Sequence, residues 1–241
     1  MLPQSKTPTY IARHVQRVLK DGGSAPHAEG VQHFFKEEIQ SRGWYTHELR
    51  KVAVRFRRTI VREAGLPFLV RVADRLFRGR MLEEKVFAVF LLQGEVARLG
   101  DAEFRLFESW LGRVSSWADH DGVASYLLGP MIAAQPKRAA RVFVWAKRKN
   151  RWYRRAAAVA LIRGARAGQF EREIIRVAGL LRGNSDDIVQ KGLGWLLREW
   201  AKFHPNRAVP YLTRTRAQLP RFVLRTACET LPAKVKSKVL C

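Results

Sequence analysis

The stretch THELRKVAVRFRRTIVREAGLP, from Thr46 to Pro67, sets the pattern for the whole chain. Its apolar residues recur at intervals of three and four, the period of an amphipathic helix, and Gly65 stands where such a helix must stop. Thr46 is expected to cap a helix reaching about Ala64, because a threonine hydroxyl can accept from the orphan N–H groups of a first turn. Pro67 then opens the next helix where its missing N–H costs least. Helix, glycine stop and proline restart together make a helical hairpin.

The same punctuation returns on both sides. Asp21-Gly22-Gly23 closes a first helix, expected at about 7–20, and a second helix holding Phe34, Phe35 and Ile39 is expected before Gly43. Pro136, Pro205 and Pro220 each stand where a new helix can begin. Sustained two-residue alternation, the mark of a half-buried strand, is almost absent. The pairs start near Ala28, Pro67, Asp101, Pro136, Gln169 and Pro205, at intervals of 39, 34, 35, 33 and 36 residues. That recurrence is the signature of helical repeats, in which each pair buries its apolar face only by stacking on its neighbours. The expectation is an all-α chain in which residues 1–241 form a single domain of HEAT-like antiparallel helix pairs. About six pairs run from residue 28, with an extra N-terminal helix, in a curved superhelical solenoid. An irregular helical bundle with chance spacing is the alternative.

Composition narrows the partner. The chain of 241 residues is 47% hydrophobic, enough to bury a substantial core, and 45 Lys and Arg against 21 Asp and Glu leave a formal charge of +24. From Gly122 to Phe170 there are eleven Lys or Arg and no acid, with Trp145, Trp152 and Tyr153 among them. Such a surface expects a polyanion, and nucleic acid fits best because each neutralised phosphate releases counterions. An anionic membrane would instead favour an exposed basic amphipathic helix, whereas these charges sit among residues committed to a core. Two cysteines, Cys228 and Cys241, make no disulfide framework. The first ten residues lack the apolar stretch of a secretory signal, and the longest apolar run, Val86 to Leu92, is far too short for a membrane span. A soluble cytoplasmic protein, nucleoid-associated when bound to DNA, is expected.

Three segments carry candidate chemistry. In the helix from about Asp186 to Phe203, Lys191, Trp195, Arg198 and Lys202 follow at steps of four, three and four and share one side. Leu193, Leu196, Leu197 and Trp200 supply its apolar surface, so Trp195 is either a ligand-contacting indole or a partly buried one with solvated neighbours. In Ser115 to Val123 a serine can cap a helix beginning near Trp117, which puts Trp117 and Asp121 one turn apart and Ser125 one turn further. Asp119 reads as a favourable charge on the helix macrodipole. His120 is a lone histidine without metal-ligand spacing, so neither metal nor cofactor is expected. In Trp152 to Ala157 the alanines admit a neighbouring helix. The arginines can reach phosphate with planar, multidentate geometry, a reading favoured over solvated surface because no acid lies nearby in sequence.

These residues resemble the DNA alkylation repair glycosylases of the AlkD type, built of HEAT-like helical pairs. Gln190 to Lys202, followed by Pro205, looks like that family's Gln-Lys-x-x-Gly-Trp-x-x-Arg-Glu segment. Trp152 to Ala157 and the Trp117–Asp121 spacing match in the same chain order, and similarity around Phe34 to Thr46 extends the resemblance over most of the chain. By resemblance, Asp121, Trp117, Trp195 and Arg155 fall on the positions that line the family's active-site cleft and meet the damaged nucleotide. The chain departs from the pattern where a second Trp is replaced by Ser116 or Ala118, and in the Asp119-His120-Asp121 triplet, so Asp119 stands second as the catalytic acid. Phe34 stands where relatives can carry Tyr, which weakens any role for a phenol there.

The resemblance implies a monofunctional glycosylase of base excision repair. It would hydrolyse the N-glycosidic bond of cationic N3- or N7-alkylated purines in duplex DNA, as a monomer and without a base-flipping pocket. Asp121 would stabilise the developing oxocarbenium character and orient water, Trp117 and Trp195 would face the cationic base and sugar, and Arg155 would hold a phosphate. Lys147, Arg148, Arg151, Arg154, Lys191 and Arg198 would bind the DNA backbone without reading sequence. The rival expectation is a HEAT-like nucleic-acid binder or protein scaffold without chemistry, since fold does not fix function.

Overall fold

In a computed structural model, residues 7–241 are described. They are helical almost throughout and contain no strand, only an isolated parallel bridge between Gln40 and Met81. The chain divides into two compact units, the first ending at Leu127 and the second beginning at Leu128.

The first unit contains α1 (Pro8–Asp21), α2 (Ala25–Gln32), α3 (Thr46–Ala64), α4 (Leu66–Phe77), α5 (Leu82–Gln93), α6 (Asp101–Trp110) and α7 (Trp117–Asp121). Helix α5 is its centre. Phe87 to Leu92 are buried without interruption, and α3, α4 and α7 all pack on α5. A helix apolar on every side belongs in a core. Thr46 proves to be the first helical residue of α3, with Tyr45 in the capping position, whereas Gly65 ends the helix as expected with φ of +81°. Pro67 falls in the first turn of α4.

One expected helix is absent. Helix α2 ends at Gln32, and residues 33–45, which hold Phe34, Phe35 and Ile39, follow a nonhelical path fixed by side chains. The Gln32 amide donates to the carbonyl oxygens of Phe35 (3.4 Å) and Glu37 (3.0 Å), and its oxygen accepts from Ile39 N–H (3.1 Å). Farther on, the buried Glu83 carboxylate accepts from the Ser41 hydroxyl (2.7 Å) and Gly43 N–H (3.0 Å). Gly43 itself has φ of +74°, where a Cβ would lie 1.9 Å from the Ser24 carbonyl oxygen, so no other residue fits that bend.

The second unit contains α8 (Gly129–Ala134), α9 (Arg141–Ala146), α10 (Arg151–Val159), α11 (Ile162–Arg166), α12 (Glu171–Leu181), α13 (Asp187–Phe203), α14 (Pro205–Thr215), α15 (Arg221–Ala227) and α16 (Ala233–Leu240). Here α13 is the axis on which α10, α11, α12, α14 and α15 pack. Its predicted span is met almost to the residue: Asp186 caps it by accepting from Ile188 N–H at 3.1 Å, and Pro205 starts α14. Pro136 opens a 3₁₀ turn, Pro136–Ala140, rather than an α-helix, and that turn leads into α9.

Candidate active site and nucleic-acid surface

Trp117 and Asp121 occupy the first and last positions of α7, the one-turn helix that the serine signal anticipates. Asp119 between them is wholly buried and works for the fold. Its Oδ1 accepts from the Ser116 N–H and hydroxyl, both at 2.8 Å, and its Oδ2 from the Ser115 N–H (2.9 Å) and hydroxyl (3.1 Å). This is the reciprocal half of a capping box, reinforced by Lys85 Nζ at 3.4 Å from Oδ2. With its oxygens so engaged and no surface exposed, Asp119 is ill suited to be the catalytic acid. Asp121 keeps 20% of its side-chain surface exposed.

After Asp121 the chain widens into a π-helix, Gly122–Leu128. Ser125 therefore does not continue the four-residue register that the spacing suggested. Single π turns inside helices are uncommon and recur at functional sites. At the other end of α7 Trp117 is 38% exposed and its ring stacks on Phe35, with centroids 4.9 Å apart and planes inclined by 15°. The indole N–H donates to the Phe34 carbonyl oxygen at 3.3 Å. The irregular 33–45 segment thus holds the indole face-on, and the adjoining Phe34 is 74% exposed.

Both supports trace back to the first turn of α5. Glu83, Glu84 and Lys85 are consecutive, charged and buried. Glu83 ties down Ser41 and Gly43, Glu84 receives Arg42 (3.2 Å) and the Gln16 amide (3.2 Å), and Lys85 reaches Asp119, the Arg113 carbonyl (2.6 Å) and the Ser115 hydroxyl (3.0 Å). Acids at a helix N-terminus are electrostatically favoured there. Sequence reasoning passed over this triplet and read Phe35 only as part of a helix. The acids at the start of α5 were a visible signal, but their partners lie about 40 residues or more away in the chain.

In the second unit Arg155 and Trp195 lie on α10 and α13, which pack directly together. Arg155 is 5% exposed and donates from Nη1 to the Ile188 carbonyl oxygen at 2.7 Å. Its stem crosses α13 at Gly192, where an added Cβ would come within 3.0 Å of Arg155 Cγ. Trp195 is half-buried, while Leu193, Leu196, Leu197 and Trp200 are buried, so the apolar face runs as the spacing predicted.

The basic surface is more neutralised and less aromatic than the sequence suggests. Trp145 and Trp152 are buried in the core. Asp186 and Asp187, at the start of α13, supply the acids missing nearby in sequence: Arg151 lies 3.2 Å from Asp186, Arg154 3.9 Å from Asp186, and Lys191 3.5 Å from Asp187. Arg198 pairs with Glu229 at 2.9 Å. Lys147 and Arg148 are exposed on the turn between α9 and α10, with Arg148 over the Tyr153 ring at 5.6 Å. Arg154 donates to the Arg148 carbonyl at 2.9 Å and also to that of Lys149, so it braces this turn from beneath.

Residues 15–231 match the family described as DNA alkylation repair enzyme. The chain belongs to that family. Members of solved structure share its fold: a predicted DNA alkylation repair enzyme from Enterococcus faecalis has a TM-score of 0.78 at 16% identity, covering 88% of this chain and 97% of its own. AlkD2 from Streptococcus mutans has a TM-score of 0.60 at 20% identity, covering 79% and 92%. No curated protein matches the chain by sequence. This DNA alkylation repair family member is thus all-α, as the sequence indicates, and its structural likeness is to helical-repeat proteins of the AlkD type. Among the described residues no helix is long and apolar enough to cross a membrane, and no cluster of His, Cys, Asp and Glu could hold a metal ion.

Proposed function

We propose that this protein is a DNA glycosylase that hydrolyses the N-glycosidic bond of cationic N3- or N7-alkylated purines in duplex DNA. The observation that carries the reading is the difference in exposure within α7: Asp119 has no surface exposed and is bound by Ser115, Ser116 and Lys85, while Asp121, one turn from an exposed indole, keeps 20% of its side-chain surface exposed.

An alkylated purine with a positive ring is already a good leaving group. Its bond to C1′ breaks with the electron pair moving onto the base, which departs neutral and unprotonated. What remains costly is the positive charge growing on the deoxyribose, and an aligned carboxylate lowers that cost while orienting a water whose oxygen bonds to C1′. The water's proton passes to the carboxylate or to solvent. Asp121 takes this role. The Trp117 ring offers a π face to the cationic base or sugar, an attraction of about 0.5–2 kcal/mol, and Trp195 is assigned a like contact. Arg155 has its guanidinium orientation set by the Ile188 carbonyl and serves a phosphate near the lesion. Lys147 and Arg148 add sequence-independent affinity, to which Arg151, Arg154, Lys191 and Arg198 contribute once their acidic partners yield to phosphate. Lesions bulkier than methyl are accepted if no base pocket is used, and neutral lesions are poor substrates.

The test is base release from methylated duplex DNA analysed by chromatography. Free 7-methylguanine or 3-methyladenine is expected. Binding of the DNA with no release would leave a non-catalytic member that only binds.

A further inference from the structure

Asp121 has a neighbour that the reaction as described does not use. Nδ1 of His120 lies 2.6 Å from Asp121 Oδ1, and the His120 ring has no exposed surface. Successive side chains on an α-helix point about 100° apart and do not ordinarily meet. Here they meet at the last residue of a one-turn helix, where the chain opens into the π-helix. Helix α7 is seated on α5, where a Cβ at Gly122 would stand 3.4 Å from Val89. The charged side chain that α5 sends to α7, Lys85, is committed to Asp119. The two acids flanking His120 therefore differ in their relation to it: Asp119 is bound by serines and a lysine, and Asp121 is the acid that meets the imidazole.

We propose that His120 is a positioning residue for Asp121, donating its Nδ1–H to Oδ1 and fixing the plane in which the carboxylate meets the substrate. The proposal rests on the reading of Asp121 as the catalytic carboxylate. His120 touches no substrate, being wholly buried; its proposed role is exerted on Asp121. A buried imidazole that merely filled space would need only its volume, whereas a positioning imidazole needs an N–H at one place. The hydrogen bond is charge-assisted when Asp121 is ionised, which makes it stronger and more directional than a neutral pair.

The two roles separate by substitution. The amide nitrogen of asparagine is as many bonds from Cα as the histidine Nδ1, and that of glutamine is one bond farther. Single-turnover release of 7-methylguanine should stay within about threefold of the unmodified protein in His120→Asn, and fall by roughly ten- to a hundredfold in His120→Gln and His120→Leu, as expected for a misplaced reacting group. Affinity for undamaged duplex should not change in any of them. Adding His120→Gln to Asp121→Asn should cost nothing further, since the first acts only through the second. Full activity in the Gln and Leu variants, or an Asn variant as slow as Leu, overturns the proposal. Because Asn and Gln carry the same amide, their contrast decides even where Leu disturbs folding. If Asp121→Asn itself retains the full rate, the catalytic assignment fails and His120 loses its role with it. If Asp121→Asn is slow and every His120 variant is fast, the positioning role fails alone.

Discussion

The first unit carries 20 Lys and Arg against 15 Asp and Glu, a net +5, and the second carries 25 against 6, a net +19. The near-balanced unit buries more of its charged and titratable side chains. Glu83, Glu84, Lys85, Asp119 and His120 all lie within it, each joined to a partner that fixes a loop or the turn of α7. The strongly cationic unit buries Arg138, Arg155 and Glu199 and leaves most of its charge toward solvent. Charge placed inside confers geometry; charge placed outside confers long-range attraction to a polyanion. Under the proposed function, the Asp121 carboxylate is oriented within the first unit, and most of the charge that draws DNA is carried by the second.

That division can be broken by experiment, beginning where the effect is largest. Asp119→Ala leaves Lys85 buried without its counter-ion and the Ser115 and Ser116 donors without an acceptor, so unfolding free energy should drop by about 3–5 kcal/mol. Thermal or urea unfolding checks this, and a stable Asp119→Ala protein would return Asp119 to candidacy as a catalytic group. Next comes Lys147→Gln with Arg148→Gln, on an exposed turn of the cationic unit. Stability and the excision rate at saturating DNA should hold, while the slope of log affinity against log salt should fall by about 2, close to 0.9 per lost phosphate contact. An unchanged slope would mean that the polyanion is gripped elsewhere.

The smallest effect is on pH. Burial raises the Asp74 carboxyl, but hydrogen bonds from Arg78 and Trp110 and the nearby charge of Arg113 outweigh it and leave the group below its usual value of 3.8. A carboxylate depressed on folding stabilises the native state above that value, and the contribution is lost as pH falls below it. Asp74→Asn should therefore be less stable at neutral pH yet lose less stability on acidification, as judged by urea titrations at each pH.

Much of the fold was legible because its signals are local. Gly65 and Pro205 each act within one turn of their own position, and the apolar period of α13 showed its span and which face would be buried. The 33–45 segment was not legible, because its apolar residues mimic a helix while its path is set by Gln32 and by Glu83, a residue about 40 positions away. The cationic window misled for the same reason: its acids, Asp186 and Asp187, arrive from α13. At the candidate site the Trp117–Asp121 spacing was readable as one helical turn, but the His120 contact was not, since adjacent helical residues are expected to diverge.

The most direct measurement of the account is single-turnover base excision by Asp121→Asn beside its affinity for the same methylated duplex. The exchange keeps the size of the side chain and removes its negative charge. Excision should fall by roughly a hundredfold or more, the scale of losing one group that stabilises transition-state charge, with DNA affinity unchanged. An undiminished rate, with binding intact, would contradict the claim that this carboxylate carries the chemistry.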